Sequence, residues 1–140
     1  MVYIKITVEE TMKKLYQVVA GIMVRQNKFL CGKRKEGFFT SKWEFPGGKI
    51  EPKETKIEAL KREIKEEIDC DVKRSVFFMS SIVEKNEFII HLDAYLIDCE
   101  DDTPKLNVHS EIRWIPISDL SNYDWCDADK LIVEHILRAC

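Results

Sequence analysis

From Glu54 to Ile68 the chain runs fifteen residues without a glycine or proline, and strong helix formers dominate. The stretch predicts a helix whose side chains sort onto two faces. Ile57, Leu60, Ile64 and Ile68 recur every three or four residues and form an apolar stripe that must be buried. Glu63, Glu66 and Glu67 stand at i, i+3 and i+4, so at about 100° per residue their carboxylates crowd a second face beside small Ala59. Like charges at this spacing repel by a few tenths of a kcal/mol per exposed pair. The face is therefore either a solvated surface balanced by Lys61, Arg62 and Lys65 or a seat for a hard cation. Mg²⁺ suits carboxylate oxygens without nearby His or Cys and leaves positions open for phosphate oxygens, so the second reading leads to phosphate chemistry. The helix alone favours the first.

The rest of the chain limits the setting. At 140 residues, 45% hydrophobic and 34% charged, it is long enough to bury one core and is read as a single domain, 1–140. No apolar run reaches membrane-spanning length, and a formal charge of -3 argues against stable DNA or RNA binding. Cys31, Cys70, Cys99, Cys126 and Cys140 are odd in number, scattered and without a CxxC pair, which predicts reduced thiols in a cytoplasmic protein. No signal peptide is expected at the N-terminus.

Alternation over Val2–Val8 suggests a strand, so residues 1–14 are read as an extra strand or an N-terminal extension. Leu15–Val24 and Phe29–Lys33, joined by polar Arg25–Lys28, predict a hairpin; Gly37–Gly48 predicts a loop or strand end with a special turn. Val76–Val83, Phe88–Ile97 and Ile112–Ile117 read as strands. Asp127–Ala139 reads as a closing helix with Asp127 available as its N-cap. The order is that of an α+β fold, an αβα arrangement.

The acidic helix gains a second witness in the loop before it. Gly48-Lys49-Ile50-Glu51-Pro52-Lys53-Glu54 leads on to Arg62-Glu63-Ile64-Lys65-Glu66-Glu67-Ile68-Asp69-Cys70, which resembles the Nudix box: G, five residues, E, seven residues, R-E-U-x-E-E-x-G-U, U being bulky and apolar. Trp43-Glu44-Phe45-Pro46-Gly47-Gly48-Lys49-Ile50-Glu51 looks like the matching stretch of the MutT-type branch, and a weaker likeness runs from about Val18 to Ile136. Two positions depart. Asp69 stands for the closing glycine, where Asp can adopt the left-handed conformation at modest cost, and Cys70 follows it. Val108 stands where relatives often carry an acidic residue, which leaves Glu111, His109 or a box glutamate as the general base.

The resemblance implies a mixed β-sheet between helices and attack by a metal-activated water on a phosphorus of a nucleotide, a triphosphate giving a monophosphate and pyrophosphate. It implies that Glu63, Glu66, Glu67 and the Gly48 carbonyl bind Mg²⁺, with Mn²⁺ as a substitute, while Glu54 orients Arg62. Arg34 sits where MutT-type relatives place a phosphate-contacting arginine, though a strand-edge charge would look the same. Asp129 is similar to the position of a base-reading Asn in oxidised-guanine enzymes and of an Asp in the CTP branch; an ionised carboxylate only accepts hydrogen bonds, which suits the cytosine amine. Phe45 could lie against the base and Trp125 could touch ligand, whereas Trp43, Trp114 and His91 read as packing. The expected partner is a small nucleotide, acted on by a monomer or a homodimer.

Overall fold

The structure, a computed structural model, describes residues 13–35, 41–100, 104–105 and 109–139, with 109 and 110 described by backbone alone. The strand read over Val2–Val8 and the position of Val108 lie outside the described residues. Eight strands are present in the described chain: β1 (Lys14–Ile22), β2 (Val24–Arg25), β3 (Lys28–Arg34), β4 (Trp43–Glu44), β5 (Gly47–Lys49), β6 (Val72–Glu84), β7 (Phe88–Cys99) and β8 (His109–Pro116). Helix α1 (Lys56–Ile68) follows β5; a 3₁₀ turn (Ile117–Asn122) leads to helix α2 (Asp127–Ala139).

One sheet has the order β5-β1-β7-β6, with β1 and β7 parallel and the outer pairs antiparallel. Period-two alternation along its central strands feeds two cores. In β1, Val19 joins Leu60, Ile64 and Ile68 of α1, while Ala20 and Ile22 join Ile132, Val133 and Ile136 of α2. Strand β7 repeats the pattern, with Tyr95 and Ile97 on the α1 side and Leu92 and Ala94 on the α2 side. The mixed sheet thus lies between two helices, the α+β arrangement expected. Each of Leu60, Ile64 and Ile68 is essentially inaccessible, a burial that contributes roughly 1.5–3 kcal/mol per side chain.

Several local readings need correction. The hairpin is confined to β2 and β3, closed by Gln26 and Asn27 at φ 51° and 61°, as a tight primed turn requires. Beyond Ile22 the chain leaves the first sheet, and β3 pairs with β4 and β8 in a second one. The run Leu15–Val24 is therefore shared by two sheets. Helix α1 starts at Lys56, after Glu54, because Thr55 caps it: the Thr55 hydroxyl accepts the Glu58 N–H at 3.1 Å, and the Glu58 carboxylate accepts the Thr55 N–H at 3.0 Å. Strand β6 begins earlier than Val76 and β8 earlier than Ile112, and Ile117 already belongs to the 3₁₀ turn. Asp127 lies inside α2 as its first residue, and its carboxylate is spent on Lys85.

Asp69 ends α1 at φ 55°, ψ 40°, the left-handed conformation a closing glycine would supply, and its carboxylate takes Lys65 at 3.1 Å and Lys105 at 3.6 Å. Cys31, Cys70, Cys99 and Cys126 are buried, and none of the four is in a disulfide. No helix of the described residues is long and apolar enough to cross a membrane.

Candidate active site

The acidic face of α1 is organised by one guanidinium. Arg62 donates from Nε to Glu54 Oε2 at 2.7 Å and from Nη2 to Glu54 Oε1 at 2.9 Å, a forked pair of charge-assisted bonds. Nη2 also reaches the Lys49 carbonyl at 2.9 Å, which ties the helix to the end of β5. Nη1 points the other way, to Glu63 at 2.8 Å and Glu66 at 3.2 Å. The Arg62 contact, with the Glu51 N–H donating to Glu54 Oε1 at 2.9 Å, holds the Glu54 carboxyl down at about 2. Arg62 is correspondingly fixed in its charged form by Glu54 and Glu63.

The helix docks on two glycines. A Cβ at Gly47 would run into the Val19 carbonyl of β1, where only glycine fits, and one at Gly48 would meet the Glu63 carboxylate, the end of a flexible side chain. The Gly47 N–H donates to Glu67 Oε2 at 2.8 Å. Glu67 is only 9% exposed, and burial, then the nearby Glu44 carboxylate, pushes its carboxyl up to about 8 against the pull of Gly47 and Arg34. Glu63 is also raised, by burial first and despite Arg62. Glu66 is the exposed member, its side chain 57% accessible. The two inward carboxylates thus share a partly desolvated site with too little positive charge beside them. A hard divalent cation would fit that donor set.

Beside this face opens a cleft of about 460 Å³ between β1, β7 and the first turn of α2. Arg34, Phe45, Gly48 and Asp129 all line it, so four residues singled out from the sequence meet there. Arg34 Nη1 is bonded to Glu44 Oε1 at 2.8 Å. Asp129, 6% exposed, turns inward and accepts the Phe45 N–H at 2.9 Å. Its carboxyl is held well above the usual range, chiefly by burial and next by Glu44. Glu44, Cys126 and Asp129 bring one potential ligand atom each within 4.8 Å of the others, a buried cluster at the cleft floor.

Other expected residues lie apart. Trp125 stacks behind Phe45, ring centroids 5.4 Å apart and planes 14° apart, and its indole N–H donates to the Leu120 carbonyl at 2.7 Å; it is not in the cleft lining. Glu111 is ion-paired with Arg113, which stands over Trp43, and it too is outside the lining. Trp43 packs edge-on against Tyr123 at 5.1 Å, Trp114 lies under Arg25, and His91 meets Asp93 at 3.5 Å. The sequence reading had passed over Glu44 and Cys126. Glu44, a lone charge between two aromatics, was the available sign of a buried partner; Cys126 offered none.

Scaffold and site together define a hydrolase that seats an acidic helix on a glycine strand beside a nucleotide-sized cleft. The NUDIX domain matches residues 15–136, and the chain belongs to the NUDIX family. It is 31% identical to the CTP pyrophosphohydrolase of Escherichia coli K12 over 86% of this chain and 90% of that protein. To the 8-oxo-dGTP diphosphatase of the same organism it is 28% identical, over 91% of this chain and 99% of the relative. The crystal structure of a MutT NUDIX hydrolase from Burkholderia pseudomallei superposes with a TM-score of 0.80 at 23% identity, covering 87% of this chain and 98% of the other, which fixes the fold. NUDIX hydrolases generally use a divalent metal such as Mg²⁺.

Proposed function

We propose that the protein is a Mg²⁺-dependent nucleoside triphosphate pyrophosphohydrolase that adds water across a phosphoanhydride of CTP, dCTP or a 5-substituted relative, giving the monophosphate and pyrophosphate. The observation that carries this reading is the cleft itself, lined by the buried acid Asp129 and by Gly47 and Gly48, whose backbone meets Glu67 and Glu63 of the acidic helix. Glu63, Glu66, Glu67 and the Gly48 carbonyl would hold the ion, with Mn²⁺ as a substitute. Bound there, it supplies charge that offsets the negative charge growing on the phosphoryl oxygens and makes hydroxide easier to form at neutral pH.

The chain's own residues do the rest. Glu54 fixes Arg62, and Arg62 aims Glu63 and Glu66 while holding the helix to Lys49. Arg34, released from Glu44, takes a phosphate. The Phe45 ring, backed by Trp125, offers an apolar wall to the base. Asp129 accepts the base amine. Glu111, committed to Arg113, has no part in this scheme.

A second reading, 8-oxo-dGTP hydrolysis, is favoured by one observation. Burial beside Glu44 biases Asp129 toward the neutral acid, which donates as well as accepts and so approaches what an Asn offers. Pyrophosphate release from CTP, dCTP, 5-methyl-dCTP, 8-oxo-dGTP, dGTP and ATP with Mg²⁺, for the native chain and Glu67→Gln, decides. Cytosine nucleotides should lead, and Glu67→Gln should lower kcat by more than about a hundredfold. Cleavage of 8-oxo-dGTP ahead of the rest transfers the assignment to the second reading; no cleavage at all overturns both.

A further inference from the structure

Of the described residues lining the cleft, three are cations: Arg34, Lys49 and Lys85. Two come from β3 and β5. Lys49 follows Gly48, with its ammonium 4.6 Å from the centre of the Tyr16 ring, and Arg34 is bonded to Glu44. Lys85 comes from another element, the turn joining β6 to β7, where its N–H donates to the Phe88 carbonyl at 2.8 Å. Its ammonium is ion-paired with Asp127, two residues before Asp129 in the first turn of α2. Lys85 and Asp129 thus both line the cleft, and the ion pair with Asp127 ties the turn to the helix turn that carries Asp129. Val83, Phe88, Ile90 and Leu92 supply apolar lining in between.

An acid and an ammonium facing one apolar slot select a base that presents an amine and a carbonyl on one edge. Cytosine does so, its amine and its carbonyl flanking the same ring nitrogen. Adenine carries the amine but has C–H where the carbonyl would be. We propose that Lys85 is a specificity-determining residue that donates to the ring carbonyl of a base whose amine is accepted by Asp129, so that the site rejects adenine. The inference rests on the nucleotide reading above and adds a residue that separates cytosine from adenine. Asp127 keeps the ammonium compensated while the slot is empty, which makes the discrimination moderate.

Calorimetric binding of CMP and AMP tests this without requiring turnover. The native chain should bind CMP more tightly than AMP. Lys85→Met, which keeps the length and removes the donor, should weaken CMP about tenfold, the size of one charge-assisted hydrogen bond, and leave AMP unchanged. Asp127→Asn, which frees the ammonium, should bind CMP at least as tightly as the native chain. Melting temperatures within a few degrees of native establish that the variants are folded. Equal weakening of CMP and AMP by Lys85→Met overturns the proposal, as does equal loss in Lys85→Met and Asp127→Asn, which would make the ion pair a structural strap. Absence of pyrophosphate release with CMP binding and the Lys85→Met effect intact would break the hydrolysis reading and leave this one standing. A native chain that releases pyrophosphate yet binds CMP no better than AMP would do the reverse.

Discussion

The molecule holds two groups of carboxylates, one on α1 and one at the cleft floor, and they manage the same electrostatic problem in opposite ways. On α1, Arg62 lies among Glu54, Glu63 and Glu66, and a capped helix and a glycine strand keep it there. At the floor, Glu44 and Asp129 are buried together, with half-exposed Arg34 bonded to Glu44 and the Phe45 N–H bonded to Asp129. Arg62 and Glu54 are held charged by geometry, whereas Asp129, like Glu67 at the inner edge of α1, is biased toward its protonated form by burial beside Glu44. The brace suits a cation site, whose ligands must be aimed, while the bias of Asp129 toward the neutral acid is what favours the second reading.

After the loss of Glu67 itself, the largest effect should come from breaking the geometry without touching a charge. Gly48→Ala puts a methyl group into the Glu63 carboxylate, which is the end of a flexible side chain and can turn aside. Folding should lose about 1 kcal/mol or less, whereas kcat should fall by roughly ten- to a hundredfold because Glu63 is displaced. Steady-state kinetics and a thermal melt on one preparation check both halves. A variant with native kcat would show that contact between Gly48 and Glu63 is incidental to the chemistry.

Next in size is Asp129→Asn, which keeps an oxygen for the Phe45 N–H and removes the ionisable group. Asp129 is an acid whose folded pKa lies well above the unfolded value near 4, so the native chain loses stability as pH rises through the range between them. The Asn variant is spared that loss. It should melt higher than native at pH 7.5 and equally at pH 4. In the substrate panel its preference for cytosine nucleotides over 8-oxo-dGTP should drop about tenfold. Equal melting at both pH values would mean that the floor keeps its charge.

These two groups also explain what could be read in advance. The α1 cluster is local: residues three and four apart on a helix must be neighbours, and Gly48, Glu54 and Arg62 fall at fixed offsets from them, so the whole brace was visible as a pattern. Even the departure at Asp69 was interpretable, because one backbone conformation ends such a helix and Asp can adopt it. The floor is assembled from β4 and α2, distant in sequence, and no periodicity connects Glu44 to Asp129 or Cys126. Asp129 was found through resemblance alone. The surroundings of Trp125 and Glu111 were not legible for a related reason: a pattern shows residue type and spacing, but the indole hydrogen bond to Leu120 and the Glu111–Arg113 pair are tertiary or side-chain choices. The strand run Leu15–Val24 likewise hid a change of sheet, since both sheets accept the same apolar residues.

A smaller effect concerns the cation. Glu67, raised to about 8 in the protein without metal, must lose a proton to become a ligand. Proton and Mg²⁺ compete, so the rise in Tm on adding Mg²⁺ should be small at pH 5.5 and grow toward pH 8.5, and it should vanish in Glu67→Gln. A rise independent of pH would place the ion on carboxylates already ionised, away from Glu67.

The smallest effect is one that disappears in acid. Glu54 has the reverse shift, its folded carboxyl near 2 against an unfolded value of about 4.3. Its contribution is therefore complete above the unfolded value and is lost as pH falls from there toward 2. Glu54→Gln should bring the melting temperature closer to native as pH falls through that window, with the full deficit present at pH 7. Because the pair with Arg62 is partly buried, its side chains 23% and 13% accessible, high salt should shrink the deficit at pH 7 only in part. Activity should respond more than stability, since Glu54 acts on the chemistry through Arg62 and the aim of Glu63: kcat should fall about tenfold with KM little changed. An acid-independent deficit would mean that Glu54 matters for packing at the start of α1, where Thr55 and Glu58 already supply the cap, and the brace would then be a helix terminus instead of a positioning device.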